Sequence, residues 1–321
     1  MIWDSMEEGQ LQFQHESVLL NELVDSVQPK SGGIYVDCTV GGGGHTERLL
    51  QLSSPDGVVI GLDQDENALV HARERLAQHG TRLRLIHENF RRIAEVVSEL
   101  RVGPVDGVVF DLGVSSPQFD VAERGFSYKA DAKLDMRMDQ THGITAAEMV
   151  NGFEESRLVR VFFEYGEEKF SKSIARAIVR ERAKEPIVTT GRLADIIRSA
   201  IPAPARRTGP HPARRVFQAL RIAVNDELGA LDEALDGAFQ VLSSGGRLAV
   251  ITFHSLEDKI VKHRFVDWCK GCECPPEFPV CVCGKKPRAM LVSRKAITPS
   301  EVELSRNQRS RSAKLRIVEK Y

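Results

Sequence analysis

The sequence predicts an α/β protein, a doubly wound, mostly parallel sheet interrupted by a helical subdomain. Three observations carry that reading. Apolar runs of strand length alternate with helix-length amphipathic runs up to about residue 116. From about Pro117 to about Pro212 no buried apolar strand follows, only Gly- and Asp-rich loops and helical patterns. The alternation then resumes and ends in two strand-like runs.

In order, "HESVLLNELVDSVQP" reads as a short amphipathic helix with Ser17 as N-cap and Pro29 beyond its end. "GIYVDCT" is a buried strand, followed by four glycines and the helix "HTERLLQL". "GVVIGLDQD" and "ENALVHARERLAQHG" form the second strand and helix, "LRLIHENF" and "RRIAEVVSEL" the third, and "VDGVVFDLGVSS" a fourth strand entering a loop. The insert holds "TAAEMVNGF", "ESRLVRVFFEYG", "FSKSIARAIVRERAK" and "TTGRLADIIRSAI". Val216, Phe217, Leu220, Val224, Leu228, Leu231, Leu235, Phe239 and Leu242 recur three or four apart, enough for one long helix or two consecutive ones. "GGRLAVITF" is a fifth strand, and "SLEDKIVKHRFVDW" a helix with Ser255 and Asp258 spaced as a capping box. "AMLVSRKAI" and "SAKLRIVEK", with polar sequence and no good helix between them, are expected to pair antiparallel. The expected division is a loose tail at 1–14, a first sheet part at 15–116, the inserted subdomain at 117–212 and a second sheet part at 213–321.

Composition excludes several classes. A hydrophobic share of 42% beside 28% charged residues is ordinary for a soluble globular enzyme, and no window is apolar enough for a membrane span. The acidic start lacks a signal-peptide pattern, so a cytoplasmic protein is expected. The net charge of −1 hides an asymmetry: residues 1–160 hold 15 Lys and Arg against 26 Asp and Glu, and residues 161–321 hold 29 against 19. Such segregation points to an anionic partner on the second half, nucleic acid foremost.

The stretch "YVDCTVGGGGHTERLL" poses the functional question. A glycine turn after the first strand, with Asp63 about twenty residues on, fits any adenosine cofactor, since the carboxylate can accept both ribose hydroxyls. Three details favour S-adenosylmethionine over a dinucleotide. His45 and Thr46 stand where a dinucleotide loop wants its last glycine. Asp37 and Asp111, at ends of the first and fourth strands, suit a sulfonium and an amino group and would repel a pyrophosphate. Phe90 follows the third strand and offers adenine an apolar surface.

Taken together, "HESVLLNE", "DCTVGGGGHT", "DLGVSSPQFD", "ERGFS", "LDMRMD", "EYGEEKF", "FQALRIAVNDEL" and "GGRLAVITFHSLEDKIVK" resemble the bacterial small-subunit rRNA (cytosine-N4)-methyltransferase family, also called RsmH or MraW. The resemblance runs from about His15 to the end, and "HSLED" and "LDMRMD" are its most specific blocks. It implies a Rossmann-like methyltransferase sheet and methylation of a decoding-centre cytidine of 16S rRNA, free or in the small ribosomal subunit, on its exocyclic amine. It also implies S-adenosylmethionine as cofactor, held by Gly43, Gly44, His45, Asp63, Phe90, Asp111 and Gln118. The inserted helices would then recognise RNA. The Asp/Asn-Pro-Pro-aromatic tetrapeptide of many amino-methyltransferases is absent, its place being taken by "DLGVSS", so no stacking platform for the base is visible.

The chemistry needs acceptors on the cytosine amine, whose lone pair is delocalised into the ring, and alignment rather than a metal or a covalent intermediate. Asp111, Ser115, Ser116 and the 112–116 carbonyls are candidate acceptors, and His254 could take the released proton or simply cap its helix. Arg206, Arg207, His211, Arg214 and Arg215, and also Arg306, Arg309, Arg311, Lys314 and Arg316, could track phosphates. Cys272, Cys274, Cys281 and Cys283 could close a zinc site, but C-x-C is tighter than the usual spacing, and reduced thiols in a loop are the plainer reading. No metal is expected at the catalytic site. A nicotinamide-dependent oxidoreductase and a non-catalytic RNA-binding assembly protein are the rival functions.

Overall fold

The computed structural model describes residues 17–206, 211–275, 280 and 282–321, with Ser116 and Pro117 described by backbone only. The expected tail at 1–14, Arg207, Cys281 and the side chain of Ser116 therefore lie outside the described residues. Strands β1 (Ile34–Asp37), β2 (Val58–Asp63), β3 (Leu83–His87), β4 (Val105–Asp111), β5 (Leu242–Thr252), β6 (Ala289–Leu291) and β7 (Lys314–Lys320) form one sheet in the order β3-β2-β1-β4-β5-β7-β6. Strands β1 to β5 run parallel, while β7 is antiparallel to both β5 and β6.

Strand alternation sorts the core into two faces. Val36, Ile60, Val108, Phe110, Leu248 and Val250 point to one face, where Val96, Leu231, Leu235, Val261, Phe265 and Trp268 meet them from helices Ile93–Leu100, Glu227–Val241 and Ser255–Cys269. Tyr35, Val59, Val109, Ala249, Ile251 and Ile317 point to the other, against Leu23, Val24, Leu49 and Leu50 of helices Leu20–Ser26 and Gly44–Leu52. Burial on both faces is why these strands read as unbroken apolar runs.

The helical insert has a core of its own. Leu134, Met136, Phe162, Ile174, Ile178, Leu193 and Ile197 pack with Phe217 and Leu220, so this core reaches into helix Arg214–Asn225. Two glycines set its turns. Gly125 ends a short turn at φ +74°, and a Cβ there would lie 2.4 Å from the Lys133 carbonyl oxygen. Gly166 lets helix Glu155–Glu164 meet helix Arg214–Asn225, because a Cβ would lie 2.7 Å from the Arg215 carbonyl. These contacts account for the glycines of "ERGFS" and "EYGEEKF".

Several local expectations are corrected. Ser17 is not an N-cap: the first helix starts at Leu20 after Leu19, at φ 49°, whose N–H is held by Glu303 Oε1 at 2.9 Å. Of the two readings left open for the long amphipathic pattern, the second holds: it forms two helices, Arg214–Asn225 and Glu227–Val241, broken by Asp226 in the left-handed region. The polar stretch between the last two strands contains helix Glu301–Arg306, capped by Ser300. β6 is only three residues long, and β7 sits between it and β5.

Candidate active site

At β1 the sheet order reverses, since β2 lies on one side and β4 on the other, so the crevice beyond their carboxyl ends is where an open α/β sheet binds ligands. A cavity of about 950 Å³ lies there. Gly41, Gly42, Gly44, His45, Asp63, Phe90, Asp111, Ser115 and Gln118 are among its walls.

The glycine run works by conformation. Gly41 (φ +49°) and Gly43 (φ +81°) turn the backbone as L side chains rarely do, and Gly43 caps helix Gly44–Leu52. Gly43 itself is not in the wall; its missing side chain makes room for Leu76, whose Cδ1 would lie 3.2 Å from a Cβ. Gly41 and Gly42 line the cavity instead. Asp37 departs further from expectation. It is buried below the loop, where Oδ2 accepts the Thr46 hydroxyl at 2.6 Å and Oδ1 accepts the Thr39 N–H at 3.0 Å. It shapes the turn and does not line the cavity.

Asp63 accepts the N–H groups of Gly41 at 2.8 Å and Asp65 at 2.9 Å. Burial raises its pKa to about 6, an effect that these two donors oppose and the charges of Asp65 and Asp37 reinforce. Asp111 is held by its own N–H, which donates to Thr39 Oγ1 at 2.7 Å. Its Oδ1 is buried without a hydrogen-bond partner among the described residues, and its Oδ2 lies 3.7 Å from His45 Nδ1. Burial raises its pKa to about 6 as well; His45 pulls it down, and Asp37, Glu257 and Glu303 push it up. His45 Nε2 sits 3.0 Å from the Val18 carbonyl, which can only accept, so the ring carries hydrogen on Nε2 and turns Nδ1 toward Asp111.

Phe90 meets Phe110 edge to face at 5.6 Å. Gln118 is largely committed to structure: Nε2 donates to Asp65 Oδ2 at 2.8 Å and Oε1 accepts the Ser115 N–H at 3.0 Å. Asp65 also caps helix Glu66–Arg75 and receives Arg124 Nη1 at 2.7 Å, both members of that pair being buried. Arg124 in turn donates to the Arg137 and Met138 carbonyls. One buried hub thus ties the start of the insert to β2.

His254 faces a different space. It caps helix Ser255–Cys269, with Nδ1 accepting the Glu257 N–H at 3.4 Å, Nε2 at 3.1 Å from Glu257 Oε1, and Glu257 returning a carboxylate to the His254 N–H. The capping box therefore begins one residue before the expected Ser255. Ser255 donates to Glu167 Oε2, and Asp258 accepts from Arg316 and Lys314. His254 lines a second cavity of about 990 Å³, walled by Phe119, Phe126, Tyr128, Phe217 and Phe253 together with Arg214, Arg221, Arg309 and Arg311. Leu112, Gly113 and Val114 belong to both cavities. Tyr128 stacks on His211 at 4.5 Å and meets Phe217 edge to face. Of the second basic group, Arg309 pairs with Asp120, and Arg316 and Lys314 pair with Asp258.

Sequence reasoning missed Gln64, Asn89, Met138, Asn225, Glu227 and Glu257 in the first cavity. Asn225 is the informative one. Its Oδ1 accepts the Met138 N–H at 2.8 Å and its amide donates to the Met136 carbonyl at 2.9 Å, clamping "LDMRMD" to "FQALRIAVNDEL". A lone Asn late in an amphipathic helix pattern was the available signal. Arg221 and Glu227 form a two-pronged pair at 2.8 and 2.9 Å beside it.

Fold and site define a class: an α/β transferase of the methyltransferase type, with an acidic lip at the switch point of its sheet. The chain belongs to the MraW methylase family, whose model matches residues 12–321. Ribosomal RNA small subunit methyltransferase H of Symbiobacterium thermophilum is 59% identical over 308 residues, which cover 96% of this chain and 97% of that protein. The proteins of the same name from Brevibacillus brevis and a Paenibacillus species are 54% and 56% identical, covering 97% and 96% of this chain and 99% of each relative. The oxidoreductase and non-catalytic readings find no support in these likenesses. Among the described residues no helix is long and apolar enough to cross a membrane.

Proposed function

We propose that this protein methylates the exocyclic N4 amine of a decoding-centre cytidine in 16S rRNA, in the cytoplasm, using S-adenosylmethionine. The observation that carries the reading is Asp111. Asp111 lines the first cavity, one residue before the segment shared with the second, and its buried Oδ1 has no hydrogen-bond partner among the described residues. A buried acceptor without a donor is costly unless a ligand supplies one.

The residues present fit S-adenosylmethionine. Asp63, Phe90 and the Gly41–Gly44 turn would hold its adenosyl and methionine parts, with His45 and Gln118 fixing the walls; when bound, it supplies an electrophilic methyl group. The cytosine would occupy the second cavity, whose aromatic side chains offer stacking surfaces and whose arginines attract phosphates. A base taken from structured RNA must be splayed out to reach it. The Asp111 carboxylate then accepts a hydrogen of the amine, localising the nitrogen lone pair, and holds the proton as methylation completes. Ser115 and the carbonyls of the 112–114 segment are supporting acceptors. His254, with both ring nitrogens against Glu257, is assigned to holding the helix start. The helical insert, expected at 117–212, recognises the RNA.

The test is transfer of labelled methyl to small subunits lacking the modification, with nucleoside analysis of the product. N4-methylcytidine at one position is the expected result; label on another base, or none, overturns the reading.

A further inference from the structure

The loop between helix Ser255–Cys269 and β6 contains a group of side chains that methyl transfer does not use. The sulfur atoms of Cys272, Cys274 and Cys283 all lie within 4.8 Å of one another. We propose that these three cysteines, brought together from two C-x-C pairs, bind a structural zinc ion.

Two features favour a metal over three ordinary thiols. The first is spacing. Tetrahedral zinc with Zn–S bonds of about 2.3 Å places its sulfurs about 3.8 Å apart, and Cys272 Sγ lies 3.7 Å from Cys283 Sγ. A disulfide needs about 2.05 Å. The second is the set of donors aimed at the sulfurs. Among the described residues a backbone N–H points at all three: at Cys272 from Cys274 at 3.4 Å, at Cys274 from Val282 at 3.3 Å, and at Cys283 from Glu273 at 3.4 Å. Donors pointed at sulfur stabilise thiolates, the form that ligates zinc, and fix the direction of the ligands. A set of three thiolates selects a soft or borderline ion, which excludes magnesium and calcium.

The surroundings support a loop-closing role. The base of the loop is already pinned, the Arg288 N–H donating to the Trp268 carbonyl at 2.8 Å. Gly284, at φ +64°, turns the chain directly after Cys283. Val280 and Val282 of this segment are exposed, and small units without a packed core rely on a metal for definition. Binding releases the thiol protons to solvent, and no oxidant or reductant takes part. For the fourth tetrahedral position Cys281 is the nearest thiol in the sequence.

The experiment is metal analysis of the full-length protein, purified without chelator and dialysed against metal-free buffer. About one zinc per chain is expected, released on titrating the thiols with an organomercurial. Cobalt(II) in place of zinc should give a thiolate-to-metal charge-transfer band and the visible bands of a tetrahedral site. Cys272→Ser, Cys274→Ser and Cys283→Ser should each abolish stoichiometric zinc, while Cys269→Ser retains it. Far-ultraviolet circular dichroism of the same variants separates metal loss from unfolding, and the cobalt spectrum of the unmutated chain needs no variant. Absence of metal, iron in its place, zinc retained by the triple serine variant, or a Cys272–Cys283 disulfide in alkylated, unreduced protein overturns the proposal.

Discussion

The two cavities that share Leu112–Val114 and Arg309 are nearly equal in size and differ in the balance of their walls. The first is cut from strand ends and the turns that follow them, and it is acidic: Asp63, Asp111, Glu227 and Glu257 all reach its wall. The second is assembled between sheet and insert from aromatic rings and arginines. The difference matches two kinds of ligand. A small cationic cofactor is held by a rigid lip, whereas a polyanion needs a broad surface with one pocket for a base. Leu112, Gly113, Val114 and Arg309 line both cavities, and in the proposed reaction the methyl donor and the acceptor base would meet there.

That contrast can be broken most directly at Asp111. Asp111→Asn should lower the single-turnover rate of methyl transfer about 10²- to 10⁴-fold while S-adenosylhomocysteine still binds; unchanged turnover would remove Asp111 from the chemistry. Next comes the hub that fixes the insert to β2. Arg124→Met removes the guanidinium paired with buried Asp65 and leaves it the neutral donors of Gln118 and Asn67, so a loss of about 3–5 kcal/mol in denaturant unfolding is expected. Asp63→Asn should act on the first cavity alone. Losing a charged acceptor costs about 1.5–3 kcal/mol, which calorimetry would read as roughly 10- to 150-fold weaker cofactor binding. Tyr128→Leu should act on the second cavity alone, raising KM for the subunit by the equivalent of about 1–3 kcal/mol of stacking without touching cofactor affinity. An equal effect on both ligands would merge the two cavities into one functional unit. The smallest effect is that of pH. In the proposed mechanism the deprotonated forms of Asp111 and Asp63 would be the working ones, and burial raises both pKa values to about 6. Falling pH therefore protonates them, and kcat/KM should drop below about pH 6, flattening above it.

How much of this was legible depended on distance along the chain. The strand ends carrying Asp63 and Asp111 could be read because an apolar run fixes where a strand stops, and the acid is the next residue or two. Gly41–Gly44 were legible for the same local reason, although which glycine faces the ligand depends on φ values that composition does not encode. Asp37 misled, because an acid at a strand end can turn inward when a neighbouring hydroxyl, here Thr46, satisfies it. The capping of helix Ser255–Cys269 slipped by one residue because histidine is an unusual cap and Ser255 looked a better one. The Asn225 clamp acts across 87 residues, and nothing local marks its partner. The second cavity was invisible as a unit, since its aromatic residues lie from Phe119 to Phe253 and only tertiary packing gathers them.

The bond from the Leu19 N–H to Glu303 joins positions 284 residues apart, and Ser17 and Val18 share the cofactor cavity with Asn307 and Arg309. A chain made amino end first cannot finish this pocket until Glu303, Asn307 and Arg309 have been made. The cavity is thus a late product of synthesis, closed only when segments nearly three hundred residues apart have met.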